Sequence, residues 1–294
     1  MASSSASPPK LNKQGRAKLA KDTINNIVPH ILRFNKRAQD GVNASELICY
    51  SLTLDRPKRG SAPDASESSD APQPTPPKIN VTVIQSDTYD AIRSLLTSTK
   101  PGTKIAALNM ASAMQPGGGV LNGALAQEES LCVRSTLYPS LKDEYYRIPS
   151  HAAIYTTDVL VFRSASLADL PKSEWFYTDV ISVAAIKSPE TVMGKEGKRI
   201  YDVESDKEDM VKKVRLIFQV ARQKGVSHLV LGALGCGAYR NPPEEVANIF
   251  KKVIFGDRKR GGVEGIEEVV FAIFDAGENL RTFREVFNED SPRG

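Results

Sequence analysis

A three-layer α/β domain, with helices on both faces of a parallel or mixed sheet, is the fold class this sequence predicts, and three observations carry it. Strand-like and helix-like stretches alternate from residue 79 onwards. The stretch Phe176–Ile186 (FYTDVISVAAI) is apolar enough for a strand covered on both faces. Two glycine-rich loops each follow a predicted strand and precede a predicted helix, and sheets of this class bind ligands beyond the carboxyl ends of their strands.

The elements follow in order. Residues 1–14 are rich in Ser, Pro and Lys, have little to bury, and are expected to form a disordered tail. From Gly15, the residues Ala17, Leu19, Ala20, Ile24, Ile27, Ile31 and Leu32 recur at helical spacing, with a break or kink expected at Pro29. Leu47 to Leu52 suits a short strand, so residues 15–55 are expected to be an N-terminal helical extension packed on the core as part of one domain. Residues 56–78 have no hydrophobic period and are dense in Pro, Ser and Asp, which predicts a disordered insertion. Its basic opening, Arg56, Lys58 and Arg59, reads as a solvated linker end before a nuclear-import patch.

The core is expected over residues 79–290. Its predicted strands are Ile79–Ile84, Ile105–Leu108, one or two within Ile154–Phe162, Phe176–Ile186, His228–Leu231 and Val269–Phe274. Its predicted helices are Tyr89–Leu96, Ala126–Leu137, a long amphipathic one marked by Met210, Val214, Ile217, Phe218 and Ala221, then Glu244–Phe255 and Asn279–Phe287.

Composition excludes several classes. A 294-residue chain with 40% hydrophobic residues can bury a substantial core, and a net charge of +4 spread along the chain argues little for nucleic acid. Cys49, Cys132 and Cys236 are odd in number and far apart, indicating neither a disulfide framework nor a zinc cluster, and favouring a reducing compartment, cytoplasm or nucleus. The start MASSSASPPK has no apolar signal region, and no run approaches ~18 apolar residues, so no membrane span is expected.

The chemistry sits in two loops and a carboxylate pair. In Asn109–Gly119 (NMASAMQPGGG), the residues Gly117, Gly118 and Gly119 lack Cβ atoms, so their N–H groups can cradle a pyrophosphate; a plain tight turn accounts for the triplet equally well. Asn109, at the strand end, is placed to offer an amide to the cleft. The second loop, LGALGCGAYRN, runs from Leu231 to Asn241. Its Gly232, Gly235 and Gly237 fit neither a dinucleotide fingerprint nor a P-loop, which disfavours an oxidoreductase. Together the loops could clamp a diphosphate from both sides. Tyr239 offers a ring for stacking on a sugar or base, or for the core.

Seven residues after the triplet comes Gln127-Glu128-Glu129, at a predicted helix start where carboxylates also favour the dipole. Neighbours on a helix diverge by about 100°, so the two cannot flank a glycosidic bond as carboxylates ~5–9 Å apart do. One dominant acid/base with a helper that fixes a ribose hydroxyl is the reading, and proton transfer calls for a raised pKa.

The string NMASAMQPGGGVLNGALAQEESLCVRSTLYPSL resembles the signature of microbial-type poly(ADP-ribose) glycohydrolases, a branch of the macrodomain fold. The resemblance extends to GRAKLAKDT at residues 15–23 and to LGALGCGAYRNPP. It implies a macrodomain-like α/β/α core with a mixed sheet, Gly117, Gly118 and Gly119 on the diphosphate of ADP-ribose, and Glu129 as catalytic acid/base. It further implies that Glu128 holds ribose hydroxyls, that Gln127 belongs to the motif, and that Gly235, Cys236, Gly237 and Ala238 form the second phosphate loop. Tyr239 stands where the family usually has Phe against the distal ribose, and Asp87 falls loosely where macrodomains contact adenine. The expected activity is hydrolysis of ribose–ribose bonds in poly(ADP-ribose) by a monomer without metal or cofactor. Removal of single ADP-ribose units from protein or nucleic acid, and ADP-ribose binding without hydrolysis, are the alternatives.

Overall fold

A strand apolar on both faces requires a helical layer on each side, and that requirement sets the architecture. The computed structural model describes residues 11–51, 79–195, 197–257 and 260–288. The 56–78 insertion and the first ten residues of the expected tail lie outside them. Seven strands form the central sheet in the order β1 (Glu46–Cys49), β4 (Ala152–Val161), β5 (Phe176–Val183), β3 (Ile105–Met110), β8 (His228–Leu231), β11 (Glu268–Ala272) and β2 (Asn80–Ile84). The five from β5 to β2 are parallel, β4 is antiparallel to β5, and β1 is antiparallel to β4, which makes the sheet mixed. Two minor pairs, β6 (Thr191–Met193) with β7 (Arg199–Tyr201) and β9 (Gly256–Asp257) with β10 (Arg260–Gly261), carry no apolar run that would have revealed them.

Alternation along the strands divides the core in two. Ala106 and Leu108 of β3 join Ile181, Leu229 and Phe271 beneath α6 (Glu204–Gln223), α7 (Pro243–Phe255) and α8 (Glu278–Asn288). Ile105 and Ala107 turn the other way, with Val180, Val230 and Val270, towards α4 (Thr88–Ser98) and α5 (Gln127–Arg134). Along α6, Met210, Val214 and Ile217 are fully buried, and each such side chain contributes about 1.5–3 kcal/mol of transfer free energy. Among the described residues, no helix is long and apolar enough to cross a membrane.

The N-terminal extension covers the β4 edge. Asn12 caps α1 (Lys13–Asp22) by accepting the Gly15 N–H at 2.8 Å, so ordered helix begins inside the stretch expected to be tail. Pro29 does not break the helix. A π-helical turn, Thr23–Ile27, precedes α2 (Val28–Phe34), because proline has no N–H for the usual bond and crowds the turn before it. Val28, Ile31 and Leu32 then pack with Ala38 and Val42 of α3 (Lys36–Asn43) on Leu160 and Phe162. The region that could have been two strands is one, β4, with a bulge between Thr156 and Val159. The buried Asp179 carboxylate holds the bulge open, accepting the Thr157 hydroxyl and the Asp158 N–H at 3.0 Å each.

Candidate active site

Parallel pairing of β3 with β8, Ala106 opposite Leu229 and Ala107 opposite Val230, brings the two glycine loops side by side at the carboxyl end of the sheet. Between them lies a cavity of about 510 Å³, lined by Ser112, Gly118, Gly119, Gln127, Glu128 and Glu129 from one side and by Gly235, Gly237, Ala238 and Tyr239 from the other. The predicted site residues therefore converge, with informative exceptions.

Gln127 is an anchor. Its Oε1 accepts the Met110 N–H at 2.8 Å, and its Nε2 donates to the Leu108 carbonyl at 2.6 Å and the Thr88 hydroxyl at 3.2 Å. The first residue of α5 is thus tied to the end of β3, and its amide serves the scaffold even though it borders the cavity. Asn109 does not line the cavity. It is fully buried, and its Nδ2 donates to Glu128 Oε1 at 3.3 Å and to Ser182 Oγ at 3.0 Å.

The two carboxylates are both buried, Glu128 at 3% exposure and Glu129 at 9%. Divergence by about 100° around the helix does not keep them apart at their tips. Gly118 is where they meet, since a Cβ there would stand 2.9 Å from Glu129 Oε1 and 3.0 Å from Glu128 Oε2. Their bonding differs. Glu128 accepts the Ser112 N–H at 2.7 Å on Oε2 as well as the Asn109 amide, so both its oxygens have donors. Glu129 accepts the Gly119 N–H at 2.9 Å on Oε1, and its buried Oε2 has no partner among the described residues. Burial, reinforced by the neighbouring Glu129 charge, pushes the Glu128 carboxyl up to about 8 against the opposing bonds from Ser112 and Asn109. Proton transfer calls for a raised carboxyl in this pair, and Glu128 carries one.

Gly117 lies behind the cavity wall, where a side chain would run into the Tyr138 ring. In the second loop Cys236 turns away, its Sγ 3.6 Å from the Leu234 carbonyl, and burial pushes its thiol well up. Tyr239 is half-buried with its hydroxyl drawn against Ser112 and the Ala113 backbone, so the loops touch across the cavity. Asp87 caps α4 through the Tyr89 N–H at 2.9 Å and pairs with the buried Arg134 at 2.7 Å, away from the cavity lining.

Sequence reasoning missed three residues. Ser112 acts through its backbone, which leaves no mark in a sequence. Asn241, fully buried, donates to the Ile186 carbonyl at 2.7 Å and the Gly235 carbonyl at 3.1 Å and accepts the Tyr201 hydroxyl at 2.9 Å, fixing the second loop; an asparagine before Pro242 was its signal. Tyr146 buries a hydroxyl that has no partner among the described residues, and burial, reinforced by the nearby Glu128 charge, raises its pKa.

Comparison with known proteins points to one family. The family described as microbial-type PARG, catalytic domain, matches residues 33–164, which contain the glycine triplet and the Gln-Glu-Glu motif. None of the curated proteins matches in sequence. The poly(ADP-ribose) glycohydrolase of Thermomonospora curvata is 26% identical with a TM-score of 0.69, over 94% of this chain and 99% of that one. That of Deinococcus radiodurans, solved in complex with ADP-ribose, is 27% identical with a TM-score of 0.67, over 86% of this chain and 98% of that one. Over residues 33–164 the sequence resembles the microbial-type PARG catalytic domain, and over nearly its whole length the fold resembles that of bacterial poly(ADP-ribose) glycohydrolases.

Proposed function

We propose that this protein hydrolyses the ribose–ribose O-glycosidic bonds of poly(ADP-ribose), releasing ADP-ribose. The observation that carries the reading is the buried Glu129 carboxylate at the cavity wall, held on one oxygen by the Gly119 N–H and unpartnered on the other. In this reading the diphosphate lies between the Gly235–Ala238 loop and the triplet loop, whose Gly118 and Gly119 N–H groups are held by the Gln115 carbonyl and by Glu129. Glu128, fixed by Ser112 and Asn109, holds a ribose hydroxyl beside the scissile bond.

The reaction follows from these placements. In this reading a proton held on Glu128, whose carboxyl burial pushes up to about 8, passes to Glu129. Glu129 Oε2 delivers it to the bridging oxygen as the bond from that oxygen to the anomeric carbon breaks. Positive charge then develops on the ribose, next to the diphosphate. Glu129 next takes a proton from the attacking water, which restores the pair and leaves free ADP-ribose. The raised carboxyl on Glu128 favours a second reading, in which Glu128 is the donor and Glu129 orients the ribose.

The bacterial glycohydrolases that this chain resembles are the reason for choosing the polymer as substrate; single ADP-ribose units on protein or nucleic acid would use the same cavity. The deciding assay incubates wild type, E129Q and E128Q with poly(ADP-ribose) and with mono-ADP-ribosylated protein and measures released ADP-ribose. A loss of about 10²–10⁴-fold in E129Q, with ADP-ribose affinity retained, is expected for removal of a general acid/base. Full turnover in E129Q alongside an inactive E128Q transfers the role to Glu128, and ADP-ribose binding without release from either substrate makes the protein a reader. Three unpaired thiols suit the cytoplasm or nucleus, where thiols stay reduced.

A further inference from the structure

The stretch between the glycine triplet and the carboxylates leans on the N-terminal helix. Gly123 has φ +70° and sits so close to α1 that a Cβ would fall on the Lys13 carbonyl oxygen and within 3.0 Å of the Ala17 nitrogen. Arg16, on the same turn of α1, donates from Nε to the Gly123 carbonyl at 2.9 Å and from Nη1 to the Leu11 carbonyl at 2.8 Å. One turn further on, Ala20 is buried with Val120 and Leu131, the latter on the helix that carries Glu128 and Glu129. From Gly123 the bonding runs inward without a gap. Its N–H donates to Val120, the Ala124 N–H donates to the Gly119 carbonyl at 3.1 Å, and the Gly119 N–H donates to Glu129 Oε1 at 2.9 Å.

The geometry points to Arg16 as a positioning residue for Glu129: α1 is a brace that holds the 119–124 loop, and through the Gly119 N–H the carboxylate, in place. Arg16 is not among the residues lining the cavity and has no reacting atom to touch. Removing its guanidinium frees the Gly123 carbonyl and lets the loop back away from α1. The Gly119 N–H moves with it, and Glu129 loses the bond that, among the described residues, fixes its direction. Misplacement of a catalytic group by about 1 Å can cost on the order of 10²-fold in rate, so the loss belongs in kcat while the cavity that binds ADP-ribose stays intact.

This inference rests on Glu129 acting in the proposed hydrolysis, so the test in the full chain has an arm that does not depend on turnover. R16A, R16K and G123A are compared with wild type for kcat and KM on poly(ADP-ribose), for ADP-ribose affinity, and for amide hydrogen exchange across residues 117–124. The expected result is a kcat lower by about tenfold or more in R16A, with KM and ADP-ribose affinity within about twofold, recovery of most of the rate in R16K, and faster exchange confined to 117–124 and α1. G123A, which pushes the loop off the helix from the other side, is expected to reproduce the R16A pattern. Unchanged exchange over 117–124 in R16A overturns the inference whatever the enzyme does, as does a kcat that falls only in step with affinity or folded fraction. A wild type that releases no ADP-ribose from either substrate refutes the hydrolysis and leaves the brace to be judged by exchange.

Discussion

Replacing Gly118 by alanine probes the arrangement of the carboxylates with a single added carbon. The residue has φ +56°, a left-handed conformation that costs a non-glycine residue about 1–2 kcal/mol. The added Cβ would stand 2.9 Å from Glu129 Oε1 and 3.0 Å from Glu128 Oε2, where ordinary contact begins at 3.4 Å. Each carboxylate must therefore retreat by about half an ångström, and the Gly119 and Ser112 bonds that hold them stretch accordingly; at about 10²-fold per ångström this is about a tenfold loss in kcat. The conformational cost alone lowers the melting temperature by about 2–8 °C at ~2–4 °C per kcal/mol. Steady-state release of ADP-ribose from polymer and a thermal melt measure the two effects separately. A folded G118A variant with kcat within twofold of wild type would show that the carboxylates do not have to stand against this glycine, and the site geometry argued here would fail with it.

Three further outcomes follow from the same structure. E129Q is expected to bind ADP-ribose as wild type does and to release it from polymer about 10²–10⁴-fold more slowly, as measured by calorimetry beside the activity assay. Glu128 has a folded-state pKa raised to about 8 from 4.5, so its neutral form stabilises the fold. That contribution is full below about pH 4.5 and is lost as pH rises through 8, at up to ~1.4 kcal/mol per pH unit. Denaturant melts at successive pH values should therefore show E128Q gaining on wild type as pH rises, and parallel curves would contradict the burial argument. R134M removes the buried partner of Asp87 and should destabilise the protein by about 3–5 kcal/mol, read as a lower denaturation midpoint; a midpoint shift below about 1 kcal/mol would place the ion pair among weak surface contacts.

The alternation of strands and helices was legible because each buried strand had to be apolar and each covering helix amphipathic, and the structure has both in the predicted order. The edge was harder to read. Glu46–Cys49 pairs antiparallel with β4, and nothing in four residues announces direction or partner. The hairpin Thr191–Met193 with Arg199–Tyr201 is mostly exposed and carries no apolar period. At Pro29 the sequence signalled a break or a kink; the helix is not broken, and the irregularity is a wider turn at Thr23–Ile27 that absorbs the missing N–H and lets helix resume. Among site residues, Asn109 was singled out for the cleft; its amide reaches Glu128 instead, because the end of β3 lies beneath α5.

By itself the sequence determined the loop chemistry: three residues without side chains, a carboxylate pair at a fixed distance, and a second glycine loop are local facts that no packing can alter. Only the tertiary structure decided how the pair divides its duties. The bonds that distinguish Glu128 from Glu129 come from Ser112, Asn109 and Gly119, 10 to 19 residues away along the chain. Burial, a property of the whole fold, raised the pKa of Glu128. The brace from α1 is more distant still, with 107 residues separating Arg16 from the carbonyl it holds. Such contacts depend on where the chain returns to itself, and a pattern of residue types along the chain carries no record of that.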